Sequence, residues 1–129
     1  MRILNELLLG TKSSSGVVTG ADASVSQTSA HGLLAHMIGF SIQAIITGTA
    51  IGSLKLQGSS DPVPDSNFPA SGNWNVSNWT DIADSSEPVT GAGTIEYNVK
   101  SVYYNWVRVV YTSSSGTGTM VIRFNTKGF

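Results

Sequence analysis

The segment Tyr103 to Phe124 constrains the fold more than any other part of the sequence. It consists of two runs rich in β-branched and aromatic residues, joined by the turn-prone segment Ser113 to Gly116. Two such runs around a short polar connection are typical of a β-hairpin. Side chains alternate between the two faces of a strand, so one register assigns every residue of both runs to a face. The sequence predicts a hairpin with Thr112 opposite Thr117.

This register separates a core face from a mixed face. The core face carries Val107, Val109, Met120 and Ile122. The other face combines a tryptophan and two valines with two arginines, which is more apolar than a solvated sheet face requires. Contiguous exposed apolar side chains usually mark contact sites, so we expect another polypeptide to cover this face. Its predicted members are Trp106, Arg108, Val110, Val121 and Arg123, with Arg123 in cation–π reach of Trp106.

A second hairpin is predicted in the first half of the chain. Apolar and polar residues alternate from Met37 to Thr47, and they alternate again from Ser53 to Gln57 after the turn Gly48 to Gly52. Pairing the two glycines that bound this turn brings the apolar faces of both runs together. In that register Leu54 lies opposite Ile46.

The remaining pattern favours an all-β protein. A chain of 129 residues is one domain by length. Serine, threonine and glycine are abundant, and helix-forming stretches are scarce. About eight strand-like pieces are separated by turn signals at roughly 8- to 12-residue intervals, which is typical of a sandwich or barrel. We predict a single antiparallel β-sandwich, jelly-roll-like, with about eight strands in residues 17–129.

Residues 1–16 are predicted to be an N-terminal arm and linker. Eight residues, 2–9, are too few for a stable isolated helix and need a surface to dock on. The flexible segment 10–16 would give them reach. We expect the arm to contact a neighbouring subunit, and the alternative is a terminal strand of the same sandwich. The apolar residues of its predicted helical stripe are Ile3, Leu4, Leu7 and Leu8.

The composition excludes several classes of partner and site. There is no cysteine, so neither a disulfide framework nor a thiolate metal site is available. Only 12% of residues are charged and the net charge is -1, which disfavours nucleic acid as a partner. No signal peptide is visible, because Asn5 and Glu6 interrupt the apolar start. The longest mostly apolar run, Leu33 to Ile46, is shorter than the roughly 20 residues that span a bilayer, so we expect a soluble protein.

Candidate metal ligands are few. His31 and His36 are five residues apart, a spacing that places them on opposite faces of a strand. Acidic residues occur in two loops, and neither loop has the ligand spacing of an EF-hand. Whether either loop binds an ion stays open. The loop acids are Asp61 and Asp65 in the first loop, and Asp81, Asp84 and Glu87 in the second.

No catalytic signature is present. The chain lacks a Gly-x-Ser-x-Gly nucleophile elbow, and none of its glycine pairs opens a helix after a strand, as a phosphate-binding loop would. We therefore predict a protein that is not an enzyme and has no cofactor. A set of aromatic residues is expected in the core or a subunit interface, with a sugar-stacking platform as the alternative. The set comprises Trp74, Trp79, Tyr103, Tyr104 and Trp106.

The order of several short segments resembles small structural proteins of tailed phages. The segments are Phe40 to Gln43, Gly52 to Asp61, Trp79 to Ile82, Trp106 to Tyr111, Ser115 to Gly118, and Lys127 with Gly128. They are strands and turns, so the resemblance carries over no catalytic residue. It implies a capsid decoration, or cement, protein of the phage head surface, made in the host cytoplasm. Its expected partners are the major capsid protein and copies of itself.

Two other functions stay open at this point. A receptor- or glycan-binding module of a tail fibre or spike would expose its tryptophans beside loop acids. A hydrolase would need a cleft with perturbed carboxylates.

Overall fold

The computed structural model describes residues 3–34, 37–62, 76–100 and 103–128. These residues form 13 strands and no helix, and every strand pairing among them is antiparallel. The prediction of an all-β, antiparallel fold is therefore confirmed. None of the described segments is a helix long and apolar enough to cross a membrane.

Seven strands of four residues or more carry most of the pairing, and six are only two residues long. The strands are β1 (Ile3–Leu9), β2 (Thr11–Lys12), β3 (Val18–Thr19), β4 (Ala21–Asp22), β5 (Gln27–Thr28), β6 (Gly32–Leu33), β7 (Met37–Gly48), β8 (Ile51–Ser59), β9 (Thr80–Asp81), β10 (Glu87–Thr90), β11 (Gly93–Val99), β12 (Trp106–Ser115) and β13 (Gly118–Gly128).

The strands form two large sheets and one small one. The five-stranded sheet has the order β1-β13-β7-β11, and β4 also pairs with β13. The six-stranded sheet has the order β10-β8-β12-β5, with β6 also on β12 and β9 also on β8. β2 and β3 pair only with each other among the described strands.

The two large sheets face each other across a shared core. In the middle of β7, β8, β12 and β13 every second residue is buried, as expected for strands with one solvated face. These residues join a single apolar cluster, and the hydroxyl of buried Tyr111 donates to the Ala23 carbonyl at 2.8 Å. The five-stranded sheet contributes Phe40, Ile42, Ala44, Ile46, Met120, Ile122 and Phe124, and the six-stranded sheet contributes Leu54, Leu56, Val89, Val107, Val109 and Tyr111.

Neither predicted hairpin forms. β12 and β13 lie in different sheets, and so do β7 and β8. Val109 pairs with Leu56, not with Met120, and Leu54 pairs with Tyr111, not with Ile46. Each short connection leads from one sheet to the other. The apolar faces of the two strands that it joins therefore meet across the core instead of lying side by side.

The connection from β7 to β8 and the connection from β12 to β13 are hydrogen-bonded to each other. The Thr49 amide donates to the Thr117 carbonyl at 2.7 Å. Gly48 and Gly116 both adopt positive φ, and a Cβ at Gly116 would lie 2.1 Å from the Thr49 carbonyl oxygen. Glycine is therefore required at Gly116 by both conformation and space.

The predicted core face is nevertheless confirmed. Val107 and Met120 are fully buried, and Val109 and Ile122 are 1% exposed. Alternation along each strand fixes which side chains point inward, whichever strand lies beside it.

The predicted N-terminal arm is wrong in its helix and in its placement. Ile3–Leu9 forms an edge strand, β1, which pairs with β13 in the same domain. Leu8 lies at a bulge and is buried in the core, whereas Leu7 is half-buried opposite Arg123. The alternative of a terminal strand is what the chain adopts. The side chains of Ile3 and Leu4 lie outside the described part of the chain.

Candidate functional site: the outer face of the six-stranded sheet

The predicted contact surface is divided between two opposite faces. Trp106, Arg108 and Val110 belong to β12 and point away from the core on the six-stranded sheet. Val121 and Arg123 belong to β13 and point outward on the five-stranded sheet. The prediction of one continuous surface is therefore wrong, because it depended on the hairpin between β12 and β13.

Trp106 is not available as a contact residue. It is only 3% exposed although it points away from the main core. Its indole N–H donates to the Asp61 carbonyl at 3.1 Å, and the His31 ring packs edge-on against it at 5.2 Å. The chain thus covers Trp106 with its own loops, which corrects the prediction that another polypeptide does so.

The cation–π pair in the structure differs from the predicted one. The guanidinium carbon of Arg108 lies 4.2 Å from the ring centre of Trp79. The ring centre of His31 is 6.1 Å from that of Trp79 and 5.2 Å from that of Trp106, so His31 neighbours both tryptophans. Arg123 belongs to the other sheet and cannot reach Trp106. We refer to His31, Trp79, Trp106 and Arg108 as the aromatic cluster.

A hydrogen-bonded polar row extends from the aromatic cluster across the sheet. Arg108 pairs with Gln57 on β8, and Gln57 pairs with Asp81 on β9, so their side chains share one face. Arg108 Nε donates to Gln57 Oε1 at 2.8 Å, and Gln57 Nε2 donates to Asp81 Oδ1 at 2.8 Å. Lys55 Nζ binds Asp81 Oδ2 at 3.0 Å. The bonds from Gln57 and then Lys55 lower the pKa of Asp81.

Asp61 has a structural role in this region. Its carboxylate accepts bonds from the backbone amides of Ser77 at 2.8 Å and Asn78 at 3.2 Å, and from Asn78 Nδ2 at 2.9 Å. These bonds, led by the Asn78 side chain, lower the pKa of Asp61. Its carbonyl accepts from Trp106 and from Asn105 Nδ2. Asp61 therefore ties two distant segments of the chain to β12.

The loop acids do not form a metal site within the described residues. No group of three or more His, Asp or Glu side chains there could hold an ion. An open groove of about 530 Å³ lies beside Lys55 and the turn Asp81 to Ser86, but both carboxylate oxygens of Asp81 are occupied by Gln57 and Lys55. Asp84 and Glu87 are exposed. Asp65 and His36 lie outside the described part.

The predicted aromatic set does not form a platform in the described structure. Trp79 is half-buried, and Tyr104 packs against the core over Gly58, where a Cβ would lie 2.5 Å from its ring. Tyr103 is 91% exposed. Trp74 lies outside the described residues. The aromatic cluster was not predicted, because nothing in the sequence places His31 beside residues 48 and 75 positions later.

Acidification is expected to weaken the aromatic cluster. His31 Nε2 is buried and has no hydrogen-bond partner among the residues that the structure describes, and burial, followed by the nearby charge of Arg108, lowers the pKa of His31. Between the lowered folded-state pKa and the ordinary value of about 6.5, the unfolded chain binds more protons. The free energy of unfolding should therefore fall as the pH drops below about 6.5. Chemical denaturation at several pH values measures this fall.

His31→Gln provides the control for this pH effect. In the variant, the free energy of unfolding should lose the part of its pH dependence that lies above the pH range in which carboxylates titrate. His36 is present in both proteins, so any contribution that it makes to the pH dependence is the same in both. An unchanged pH profile in His31→Gln would show that protonation of His31 does not affect the fold.

No protein-family model, no curated protein and no solved structure matches the chain.

Proposed function

We propose that this chain is a non-enzymatic structural protein of a tailed-phage virion. In this role it is a decoration protein that binds the shell of major capsid protein and stabilises the head. The observation that carries the proposal is the strand order of the two large sheets, together with the resemblance of its strand and turn segments to such proteins.

The strand order supports a jelly roll. We count β5 and β6 as one interrupted strand, since both pair with β12, and leave out the other two-residue strands. Eight strands remain and they pair in a nested order. The first pairs with the last (β1 with β13), the second with the seventh (β5 with β12), the third with the sixth (β7 with β11) and the fourth with the fifth (β8 with β10). Jelly rolls of eight strands are found in viral capsid and lectin domains.

The outer face of the six-stranded sheet is the proposed shell-binding surface. It presents the Trp79–Arg108 pair and the half-buried Val110. Tryptophan and arginine are enriched among the residues that dominate interface energies. The polar row from Arg108 to Lys55 is fixed by hydrogen bonds before any partner binds, so little side-chain order has to be gained on binding.

Purified phage heads that lack a decoration protein test this role. The protein should bind them to saturation at a fixed ratio to the major capsid protein, and should raise the temperature at which the heads break open. Val110→Asp on the proposed surface should weaken binding at least about tenfold, equivalent to 1.4 kcal/mol. Val121→Asp, at a half-buried valine on the opposite outer face, is the matched control and should bind normally. Failure to saturate the heads would contradict the proposal.

A receptor- or glycan-binding module is the second candidate. Tyr103 is 91% exposed, and jelly rolls also form lectin domains. An exposed tyrosine supplies a rigid ring with a polar tip, which suits stacking on a sugar. Saturable binding of the protein to cell-surface glycans, lost in Tyr103→Ala and absent from phage heads, would favour this candidate over the first.

A further inference from the structure

The two edges of the five-stranded sheet are open to pairing. β1 and β11 are the end strands of its order, and no described strand pairs with the outer side of either. Leu8, at the bulge of β1, is the exception along that strand, because its carbonyl accepts from the Ala30 amide at 2.9 Å. The part of β1 before the bulge and the seven residues of β11 therefore offer backbone groups to another strand.

The β1 edge carries a small groove with two cations. The groove has a volume of about 190 Å³, and its basic residues are Lys12 and Arg123. Glu6 also lines it, lies opposite Phe124 in the register and has its pKa raised by burial. The other lining residues are Leu7, Val18 and Asn125.

The β11 edge is acidic. Glu96 pairs with Gln43 of β7, points outward with it and is exposed. Asp84 and Glu87 are exposed on the adjoining turn and on β10, and the Tyr97 hydroxyl joins that turn to β11 through the Ser85 carbonyl at 2.7 Å. Lys100 lies beyond the C-terminal end of β11. The charged side chains that border the β11 edge before Lys100 are thus acidic, whereas the β1 edge is bordered by Glu6 together with two cations, Lys12 on β2 and Arg123 on β13.

The strand directions permit these unlike edges to meet. The order β1-β13-β7-β11 is antiparallel at every step, so β1 and β11 run in opposite directions. A second copy in the same orientation that places its β1 beside β11 therefore continues an antiparallel sheet. Pairing β1 with β1 about its central residue would oppose Glu6 to itself, and pairing β11 with β11 about its central residue would oppose Glu96 to itself. Like charges directly opposite each other destabilise a sheet.

We propose that copies of this chain associate head to tail, with β11 of one copy pairing with β1 of the next. Glu96 then faces the groove that carries Lys12 and Arg123 of the neighbouring copy. Backbone hydrogen bonds supply the attraction, and the unlike charges select the pair of edges. Such a heterologous contact builds a ring when the rotation closes. The inference concerns the free protein and holds for either proposed function.

Charge reversal tests this contact in the purified full-length protein. Sedimentation velocity and light scattering should show assemblies at multiples of 13.5 kDa for the unchanged chain. Glu96→Lys and Arg123→Glu should each give mainly monomer, and the two substitutions combined in one chain should restore the assemblies. Thr112→Lys, at an exposed position of the six-stranded sheet, controls for a general effect of added positive charge. Circular dichroism melting confirms that each variant is folded.

Two other results would overturn the inference. A protein that stays monomeric at every concentration lacks the contact altogether. If only one of the two single reversals disrupts assembly and the combined variant fails to restore it, the copies pair through like edges. Shell binding is measured separately on phage heads, so a failure of self-association is distinguishable from a failure of the proposed function.

Discussion

Replacing Trp106 with alanine is expected to destabilise the domain by about 3 to 5 kcal/mol, the usual cost of removing a buried tryptophan. The side chain is 3% exposed, and its loss leaves the Asp61 carbonyl without the indole donor and the His31 ring without its edge-on neighbour. A destabilised fold, not a weakened contact with a partner, is therefore the primary effect. Urea denaturation followed by circular dichroism measures it.

Trp79→Ala is the matched control for this substitution. Trp79 belongs to the same cluster and donates its indole N–H to the Val76 carbonyl at 3.0 Å, but it is only half-buried. Trp79→Ala should therefore lower the free energy of unfolding clearly less than Trp106→Ala does. A change within about 0.5 kcal/mol for Trp106→Ala, the range of ordinary surface substitutions, would contradict the buried position of this residue.

The sequence predicts which side chains face the core better than it predicts which strands are neighbours. Val107, Val109, Met120 and Ile122 are buried as expected, although the hairpin that led to them is absent. The alternation of apolar and polar residues has the same period whether two strands lie side by side or face each other across a core. Loop length does not separate the two cases here, since the connection from β7 to β8 is only two residues long.

The error in the predicted contact surface follows from one wrong strand pairing. Its five residues were joined only by the assumed hairpin, and the structure assigns three of them to one sheet and two to the other. Trp106 was expected outside because a period-two pattern cannot indicate that a distant loop covers the outer face. The bonds that do so join Trp106 and Asn105 to Asp61, across more than 40 residues of sequence.

The aromatic cluster lies beyond what local patterns contain. His31 reaches it from the segment before β6, Trp79 from the residue before β9, and Arg108 from β12. Only the sheet order β8-β12 with β6 and β9 attached brings these three segments together. The strand order itself follows from long-range pairing, so composition and turn spacing could indicate an all-β antiparallel fold but could not derive the order of its strands.

Removal of residues 1–9 is expected to abolish cooperative folding or to lower the melting temperature by well over 10 °C, equivalent to several kcal/mol for a domain of roughly this size. The deletion removes β1, which pairs with β13 from Ile3 to Leu9, and it takes Leu8 out of the core cluster. It also leaves the β13 strand as a bare edge beside Phe124. A free arm would instead leave the melting temperature unchanged, so thermal unfolding followed by circular dichroism separates the two arrangements.

Point variants in β1 separate loss of the strand from loss of its core contact. Leu8→Ala should cost about 2 to 5 kcal/mol, because the side chain is 4% exposed within the core cluster. Leu7→Ala, one residue earlier on the half-buried outer side, should cost much less. Both variants keep Lys12, Glu96 and Arg123, so self-association can be measured in whichever of them stays folded. Equal costs for the two leucines would show that β1 does not present Leu8 to the core, and the position of the strand in the sheet would then be wrong.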